Sequence, residues 1–415
     1  MLIEMLGERI REIRKRKKMT LEALAGEELT KGMLSLIENN KAKPSMESLA
    51  YIAKRLGVEV TELLEEVSSL ELREVLEKAE KLYNVKLDKS PERYRQIAAL
   101  IEPYLESLSN GYESARLLDI YSRVLYHDKK EGWRELSDRA AIMYDEMMLT
   151  AKRASIGIFR AIVKFQEHDY SESLSILLSE RTELEANHAY IDPMTRVDLD
   201  YNEAILHFAV GDSDSATCVM ESAIDFSKEH RIFYRIDDLY RLAAAHGEMT
   251  RDEKKKRHFT LKLKQYGEFA DDTFSLVFYD VFTVMSLISE QKAYAEALVI
   301  IDDYLSDPKL ADSFEDLFFL EKGKAFYGLK RYEEAISYLE KAKTTKWAHH
   351  PFDLSLVYIS EVYKALCYHE LGNRDKALQI SLEAVENYRP LPASKYKDFA
   401  NETYRIIQES GKNSC

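Results

Sequence analysis

The sequence predicts an all-α protein in which a bundle of five short helices precedes a right-handed superhelix of paired helices. Three observations support this prediction. Only 14 Gly and 8 Pro occur among 415 residues, so helix-breaking residues are scarce. Apolar residues recur at spacings of three and four, as they do on one face of a helix. No long alternating run of β-branched residues bounded by turn residues indicates a strand.

The composition indicates a folded protein of the cytosol. Charged residues make up 32% and hydrophobic residues 46% of the chain, a balance typical of globular domains. No apolar stretch approaches the ~20 residues needed to cross a bilayer, and no apolar N-terminal segment precedes a cleavage site. The three cysteines are far apart, which suits reduced thiols. We therefore expect a cytoplasmic protein without membrane contact.

The charge is distributed unevenly along the chain. Residues 1–56 carry 12 Lys/Arg and 8 Asp/Glu, whereas residues 57–415 carry 47 and 65. The whole chain has a formal net charge of −14. Because a polyanion attracts basic segments and repels acidic ones, we expect only the N-terminal part to approach nucleic acid.

Five short helices follow one another at the N-terminus. Apolar residues at helical spacing indicate the first helix, which ends near Arg16. Thr20 and Thr30 are placed to cap the second and third helices. Ser45 begins the fourth helix, and Thr61 caps the fifth. A tight turn between the second and third helices makes this order a helix-turn-helix unit.

Several motifs of this unit occur together. The first helix is rich in Arg, helix 2 begins T-x-E-x-L-A, and helix 3 ends S-x-I-E. The next loop reads N-x-x-x-x-P-S, and helix 4 reads L-x-x-I-A-x-x-L-G-V. Jointly, these motifs resemble the DNA-binding domains of phage repressors and Cro. The resemblance implies that helix 3 enters the major groove of a double-stranded DNA operator.

The resemblance also implies residue roles. Arg14 and Glu38 stand where that family commonly has a buried ion pair, which is structural. The basic residues 15–18 suit a solvated helix end better than a base-reading role. Base contacts would come from outward residues of helix 3, namely Lys31, Gly32, Met33, Ser35 and Leu36. Phosphate contacts would come from Asn39, Asn40, Lys41 and Lys43.

The remaining chain contains a pattern that recurs about every 40 residues. Its small residues are clearest in three copies, at Ala204 and Ala216, Gly323 and Ala335, and Ala365 and Ala377. Looser copies surround Ala161 and Ala297, and a degenerate copy fits between residues 238 and 263. The pattern is similar to tetratricopeptide helix pairs, which stack because no pair buries its apolar face alone. We therefore expect a helix-turn-helix domain over residues 1–68 and a repeat domain over residues 69–415.

The first helix of each pair lines the inner wall of such a superhelix. Inward positions carry these residues: Tyr201, Asn202, Arg241, Tyr279, Phe282, Glu321, Lys324, Tyr327 and Tyr363. Asn bonds both groups of a peptide backbone and Tyr supplies rigid contact area, so this wall suits a short peptide. A single Tyr more often fills the groove between helices. For Asn202 both interpretations are balanced, since a helix interior gains nothing from Asn.

This combination of domains resembles the peptide-pheromone regulators of Gram-positive bacteria, the Rap–Rgg–NprR–PlcR–PrgX group, and most of all its NprR branch. The resemblance implies a quorum-sensing transcription regulator that binds operator DNA under the control of a short signalling oligopeptide. It also implies a homodimer or a higher homo-oligomer. An alternative stays open, in which the repeats bind and inhibit a sporulation phosphotransfer response regulator, alone or in addition.

No catalytic motif is recognisable in the sequence, so we expect neither an enzyme nor a cofactor. His349 and His350 have no third ligand at metal spacing, which favours a loop over a metal site. Asp212 and Asp214 suit a helix cap better than a calcium loop. The basic run 254–258 suits a solvated helix face better than a nucleic-acid contact.

Overall fold

The computed structural model describes residues 2–64, 69–84, 92–306, 308–342 and 348–410. Within these residues all regular structure is helical and no strand occurs, which confirms the all-α prediction. The chain forms two compact units, Met1–Ile156 and Gly157–Cys415. The domain boundary predicted after residue 68 adjoins residues 65–68, which lie outside the described residues, and it stays a prediction. Among the described helices, none is both long and apolar enough to cross a membrane.

The first five helices form the predicted helix-turn-helix bundle. They are α1 (Leu2–Arg16), α2 (Leu21–Ala25), α3 (Lys31–Glu38), α4 (Met46–Leu56) and α5 (Val60–Leu64). The side chains of Thr20, Thr30 and Ser45 accept hydrogen bonds from first-turn N–H groups and so cap α2, α3 and α4, as predicted. The start predicted for α5 is wrong, because that helix begins at Val60, before Thr61. The core contains Ile10, Leu24, Leu34, Ile37, Leu49, Ile52, Leu56 and Leu63.

The rest of the first unit is a helical bundle around a buried carboxylate. Its helices are α6 (Ser69–Tyr83), α7 (Arg93–Ile101), α8 (Tyr112–His127) and α9 (Trp133–Glu146), with a 3₁₀ turn at Glu102–Ser107. Asp119 is fully buried and accepts hydrogen bonds from Arg116 at 2.6 Å and Arg123 at 2.7 Å. Arg116 also binds Glu80 at 2.6 Å and thereby joins α8 to α6. These ion pairs compensate the negative charge of Asp119, whose burial without partners would be costly.

The described part of the second unit consists of six helix pairs and one further helix. The pairs are α10 (Thr150–Gln166), which begins in the first unit, with α11 (Tyr170–Asn187); α12 (Pro193–Val210) with α13 (Ser213–His230); α14 (Ile236–Thr250) with α15 (Glu253–Ala270); α16 (Thr273–Ser289) with α17 (Tyr294–Ser306); α18 (Pro308–Gly328) with α19 (Tyr332–Leu339); and α20 (Pro351–Glu370) with α21 (Arg374–Tyr388). The chain then continues into α22 (Lys395–Glu409). This arrangement confirms the predicted helical repeats, and α14 with α15 is the degenerate copy.

Small residues lie where the paired helices touch. Ala204, Ala216, Ala365 and Ala377 are completely buried. A Cβ added at Gly323 would lie 2.5 Å from Cγ of Leu339. The close approach of α18 and α19 therefore requires a residue without a side chain at this position. Close approach at these positions explains why the repeat pattern was recognisable in the sequence.

Candidate DNA-binding face and ligand cavity

Helix α3 presents the outward side chains that the sequence predicted. Leu34 and Ile37 are buried against the bundle, whereas Met33 and Leu36 are 48% and 46% exposed. Exposed apolar side chains on a short, capped helix are suited to contact thymine methyl groups in a major groove. Ser35 is half-buried and lies on the same helix, and Gly32 is exposed near its start.

Lys31 begins α3 and is paired on the surface. Its ammonium donates to Glu22 at 2.8 Å, and both side chains are more than half exposed. An exposed pair of this kind contributes little to stability, so Lys31 is available to exchange Glu22 for a base or a phosphate. Lys41 and Lys43, in the following loop, are also exposed.

The two asparagines after α3 have different surroundings. The amide of Asn39 donates to the carbonyl of Ser35 at 2.7 Å on the surface. The side-chain carbonyl of Asn40 accepts from the N–H of Gly7 at 2.9 Å. A Cβ at Gly7 would lie 2.0 Å from the carbonyl oxygen of Ile37, so α1 and α3 meet here. Asn40 therefore has a structural contact that the sequence analysis missed.

An ion pair holds α1 to α3. The guanidinium of Arg14 donates to both carboxylate oxygens of Glu38, at 2.6 and 2.8 Å, and to the carbonyl of Met19 at 2.8 Å. A bidentate geometry is the strongest form of such a pair, and the structural role predicted for Arg14 and Glu38 agrees with it. Lys17 donates to the carbonyl of Leu56 at the end of α4, which supports a structural role for this part of the basic run as well.

A cavity of about 590 Å³ lies within the second unit. Its lining comes mainly from the first helix of each pair, which is the inner wall in the sequence prediction. The lining includes seven Phe and one Tyr, namely Phe165, Tyr201, Phe208, Phe274, Phe278, Phe282, Phe314 and Phe352. Its charged side chains are Asp238, Arg241 and Asp353. The volume falls in the range of ligand pockets, which are mostly apolar with a few placed polar groups.

Three of the nine predicted wall residues line this cavity. Arg241 lies with its guanidinium carbon 4.9 Å from the ring centre of Phe274 and binds Asp238. Burial, together with the charge of Asp238, raises the pKa of Tyr201 to about 12, so its hydroxyl remains a neutral hydrogen-bonding group. Phe282 is buried and contributes an apolar face.

The other six predicted residues have contacts outside the cavity lining. The amide of Asn202 donates to the carbonyl of Asp198 in its own helix, at 2.7 Å, and Tyr279 lies under the ammonium of Lys264 at 5.0 Å. Four lie farther along the array and pack with each other: Glu321, Lys324, Tyr327 and Tyr363. The structure therefore divides the predicted wall into a part that lines a cavity and a part that does not.

Helix α22 covers part of the inner wall. Lys395 and Tyr396, at its start, both donate to Glu248 of α14. Phe399 of α22 packs against Tyr363 of α20, with ring centres 5.6 Å apart. Glu248 also accepts from Lys256 at 2.9 Å. No local sequence pattern predicts that the last helix contacts α14, since the two are far apart in the chain.

Lys256 corrects one prediction. It belongs to the basic run 254–258, for which we expected a solvated helix face, yet its side chain is only 2% exposed. It binds Glu248, Glu253 and Glu290. Lys254 in the same run is exposed, as expected.

The cavity contains polar groups that the sequence analysis did not identify. Asp353 lies in the first turn of α20, and burial raises the pKa of its carboxyl to about 6. The ring of His246 in α14 is tilted by 30° against that of Phe208, with ring centres 4.4 Å apart. Among the described residues, neither of its buried nitrogens has a hydrogen-bond partner. Burial and the charge of Lys255 lower the pKa of His246 to about 4, so the ring is neutral and offers one donor and one acceptor.

Other sequence candidates have simpler roles. The side chain of Asp212 accepts from the N–H of Ser215 at 3.1 Å and caps α13, as predicted. His350 caps α20 through the N–H of Phe352. His349 faces His168, with 3.4 Å between ring nitrogens. Among the described residues, no group of three or more His, Cys, Asp or Glu side chains is arranged to hold a metal ion.

Comparison with known proteins identifies the N-terminal domain. Residues 7–69 match the family model described as a helix-turn-helix domain. No curated protein matches the sequence. The match covers the bundle of α1–α5, so the helix-turn-helix predicted from the motifs is confirmed.

Several solved structures resemble the chain at low identity. PlcR of Bacillus thuringiensis, in complex with the peptide PapR7 and DNA, is 18% identical, with a TM-score of 0.36 over 67% of this chain and 99% of that one. The SHP pheromone receptor Rgg2 of Streptococcus dysgalactiae is 16% identical, with a TM-score of 0.32 over 66% and 98%. ComR of S. thermophilus, in complex with DNA and its signalling peptide ComS, is 20% identical, with a TM-score of 0.28 over 68% and 98%. Values this low do not establish a shared ligand.

Proposed function

We propose that this chain is a cytoplasmic transcription regulator that binds operator DNA through α3 and a short signalling peptide in the cavity of its repeats. The helix-turn-helix domain carries the first half of the proposal. The exposed side chains of α3 and the basic charge of residues 1–56 support it, because base edges need a protruding helix and phosphates need cations.

The cavity carries the second half. It extends past several helices, as an elongated ligand requires, and Phe side chains dominate its lining. Asp238, Arg241 and Asp353 add charged groups to this apolar lining. A cavity that passes several helices and combines an apolar lining with a few charged groups therefore favours a short peptide over a small polar metabolite.

A homodimer is part of the proposal, because one small helix-turn-helix reads only a half-site. Light scattering on the full chain, with and without DNA, measures the assembly directly. A monomer on a full operator would contradict this part. Binding to a phosphotransfer response regulator stays the alternative function, and no residue described above favours it.

The test begins with selection of genomic DNA fragments by the full-length protein. The affinity for the selected site is then measured with and without synthetic hexapeptide pools, and a bound peptide should change it by about fivefold or more. Lys31→Ala should weaken binding to that site by about 1–3 kcal/mol if Lys31 contacts a base. Lys54→Ala, an exposed lysine on α4, is the matched control.

Different failures have different meanings. If no fragment is selected over random DNA, the chain is not a sequence-specific regulator. If Lys31→Ala weakens binding to random DNA equally, Lys31 contacts a phosphate. If no pool binds the protein, the peptide half of the proposal fails and the DNA half stands.

A further inference from the structure

The cavity has an aromatic side beside Asp353. A recess of about 60 Å³ adjoins it, which is room for about four to six water-sized groups. Five residues line both the recess and the main cavity, namely Phe278, Phe282, Phe314, Phe352 and Asp353. We call these five residues the acidic recess. It places the carboxylate of Asp353 among four aromatic rings, and Asp316 lines the recess of about 60 Å³ as well.

The carboxylate of Asp353 is not neutralised by a direct contact. Among the described residues it has no hydrogen bond and no ion pair. Arg241 is the cation that acts on it, and does so only through space. The guanidinium of Arg241 is bound to Asp238 and lies over the rings of Phe274 and Phe278. Among the described residues, no side chain therefore neutralises the carboxylate of Asp353 by direct contact.

A carboxylate that is partly buried and has no direct partner is costly for a protein to keep. The same unit neutralises another buried acid fully, since Glu248 binds two lysines and a tyrosine hydroxyl. The acidic recess lacks such partners, although aromatic faces surround it. Aromatic faces and a carboxylate both attract cations, and cation–π attraction is strongest where water is excluded. The surroundings of Asp353 therefore suit a cation that a ligand supplies.

We propose that the acidic recess binds a positively charged group of the signalling peptide, a Lys or Arg side chain or its free amino terminus, against Asp353. This inference rests on the proposed peptide-binding function and specifies the chemistry of its ligand. The bound cation pairs with the carboxylate, while neighbouring peptide side chains pack on the remaining Phe rings. A peptide with a carboxylate at that position is repelled.

The test uses hexapeptide pools and the full-length protein. In each pool one position is fixed as Lys, norleucine or Glu, and both ends are blocked. A parallel set has a free amino terminus. Thermal shift and calorimetry rank the pools. We expect either Lys at one position or the free terminus to increase affinity at least tenfold over the matched norleucine or blocked pool, and Glu to abolish binding.

Variants assign the preference to the recess. Asp353→Asn and Asp353→Ser should both abolish the preference for the cation while leaving the norleucine pools bound. Two neutral variants are used so that a folding defect in one does not decide the result, and circular dichroism checks both. Asp214→Asn, an exposed aspartate on α13 outside the cavity lining, is the matched control and should retain the preference.

Three outcomes overturn the proposal. Norleucine or Glu pools that bind as tightly as Lys and free-terminus pools overturn it while leaving peptide binding intact. A cation preference that persists in both Asp353 variants overturns the assignment to the recess. Failure of every pool to bind overturns the peptide-binding function, and this inference with it.

Discussion

Two acidic sites on the inner wall of the repeats have opposite surroundings. Glu248 lies under α22 with Lys256, Lys395 and Tyr396 as direct partners. Among the described residues, Asp353 has no direct partner, and the charge of Arg241 acts on it through space. Burial alone would raise the pKa of both carboxyls. Lys395 and Lys256 nevertheless hold the pKa of Glu248 below its ordinary value, while the pKa of Asp353 rises to about 6.

The difference separates a structural site from a candidate binding site. A buried acid with complete partners stabilises the arrangement of helices around it, and removing one partner leaves a stranded charge. A buried acid without partners stabilises nothing by itself. It gains its partner only when a ligand arrives. We call Glu248 with its direct partners the closed site and Asp353 with its surroundings the open site. The open site costs stability that the closed site does not.

The largest expected effect comes from breaking the closed site. Lys256→Met removes a lysine that Glu248, Glu253 and Glu290 share. We expect the free energy of unfolding to fall by about 3 kcal/mol at pH 7, because the substitution removes the shared cation of a buried ion-pair network. Glu248 keeps Lys395 and Glu290 keeps Arg257 as partners, which limits the loss. Urea denaturation followed by circular dichroism measures it.

Lys254→Met is the matched control, since Lys254 is exposed in the same helix. It should change the free energy of unfolding by less than about 0.5 kcal/mol. A similar loss in both variants would show that the closed site has no special role.

The open site should respond in the opposite direction. The folded-state pKa of Asp353 is raised from 3.8 to about 6. The Asp353 carboxyl therefore keeps its proton up to a higher pH in the folded protein than in the unfolded chain. Stability is therefore lost as the pH rises from about 4 to above 6. Asp353→Asn removes this loss of stability, which amounts to up to about 3 kcal/mol. The substitution also removes a favourable interaction of about 0.5–1 kcal/mol between the carboxylate and the helix dipole of α20, so the net gain is smaller.

We expect Asp353→Asn to be more stable than the parent by about 2 kcal/mol at pH 7 and equal to it near pH 4. Urea denaturation at both pH values, without peptide, measures the difference. A variant that is less stable at pH 7 would mean that Asp353 already has a partner, and the contrast with Glu248 would disappear.

Local signals in the sequence were sufficient for the helices and their pairing. Thr20, Thr30 and Ser45 cap helices because a side-chain oxygen at these positions reaches the first turn, whatever lies elsewhere in the chain. The small residues at Ala204 and Ala365 likewise mark helix contacts within each repeat. These interactions span a few residues or one repeat, so their pattern is visible in the sequence.

The candidate site depends on contacts that no local pattern records. Asp353 resembles an ordinary acid in the first turn of a helix, and its exceptional character comes from Phe rings on α16 and α18. Lys256 resembles its basic neighbours, yet its partners lie on several other elements. The inner wall was predicted as one surface because helical spacing does not show where α22 covers it.

The smallest expected effect tests whether the peptide binds in the cavity or along the whole inner wall that the sequence predicted. Tyr201 and Asn202 are neighbours in α12, but only Tyr201 lines the cavity, while the amide of Asn202 donates to the carbonyl of Asp198. Calorimetry with the tightest hexapeptide pool should show at least a tenfold loss of affinity for Tyr201→Ala. For Asn202→Ala we expect less than a twofold change, because its amide bonds its own helix. A tenfold loss for Asn202→Ala would instead place the peptide on the wall outside the cavity, and Asp353 would then lose its proposed role.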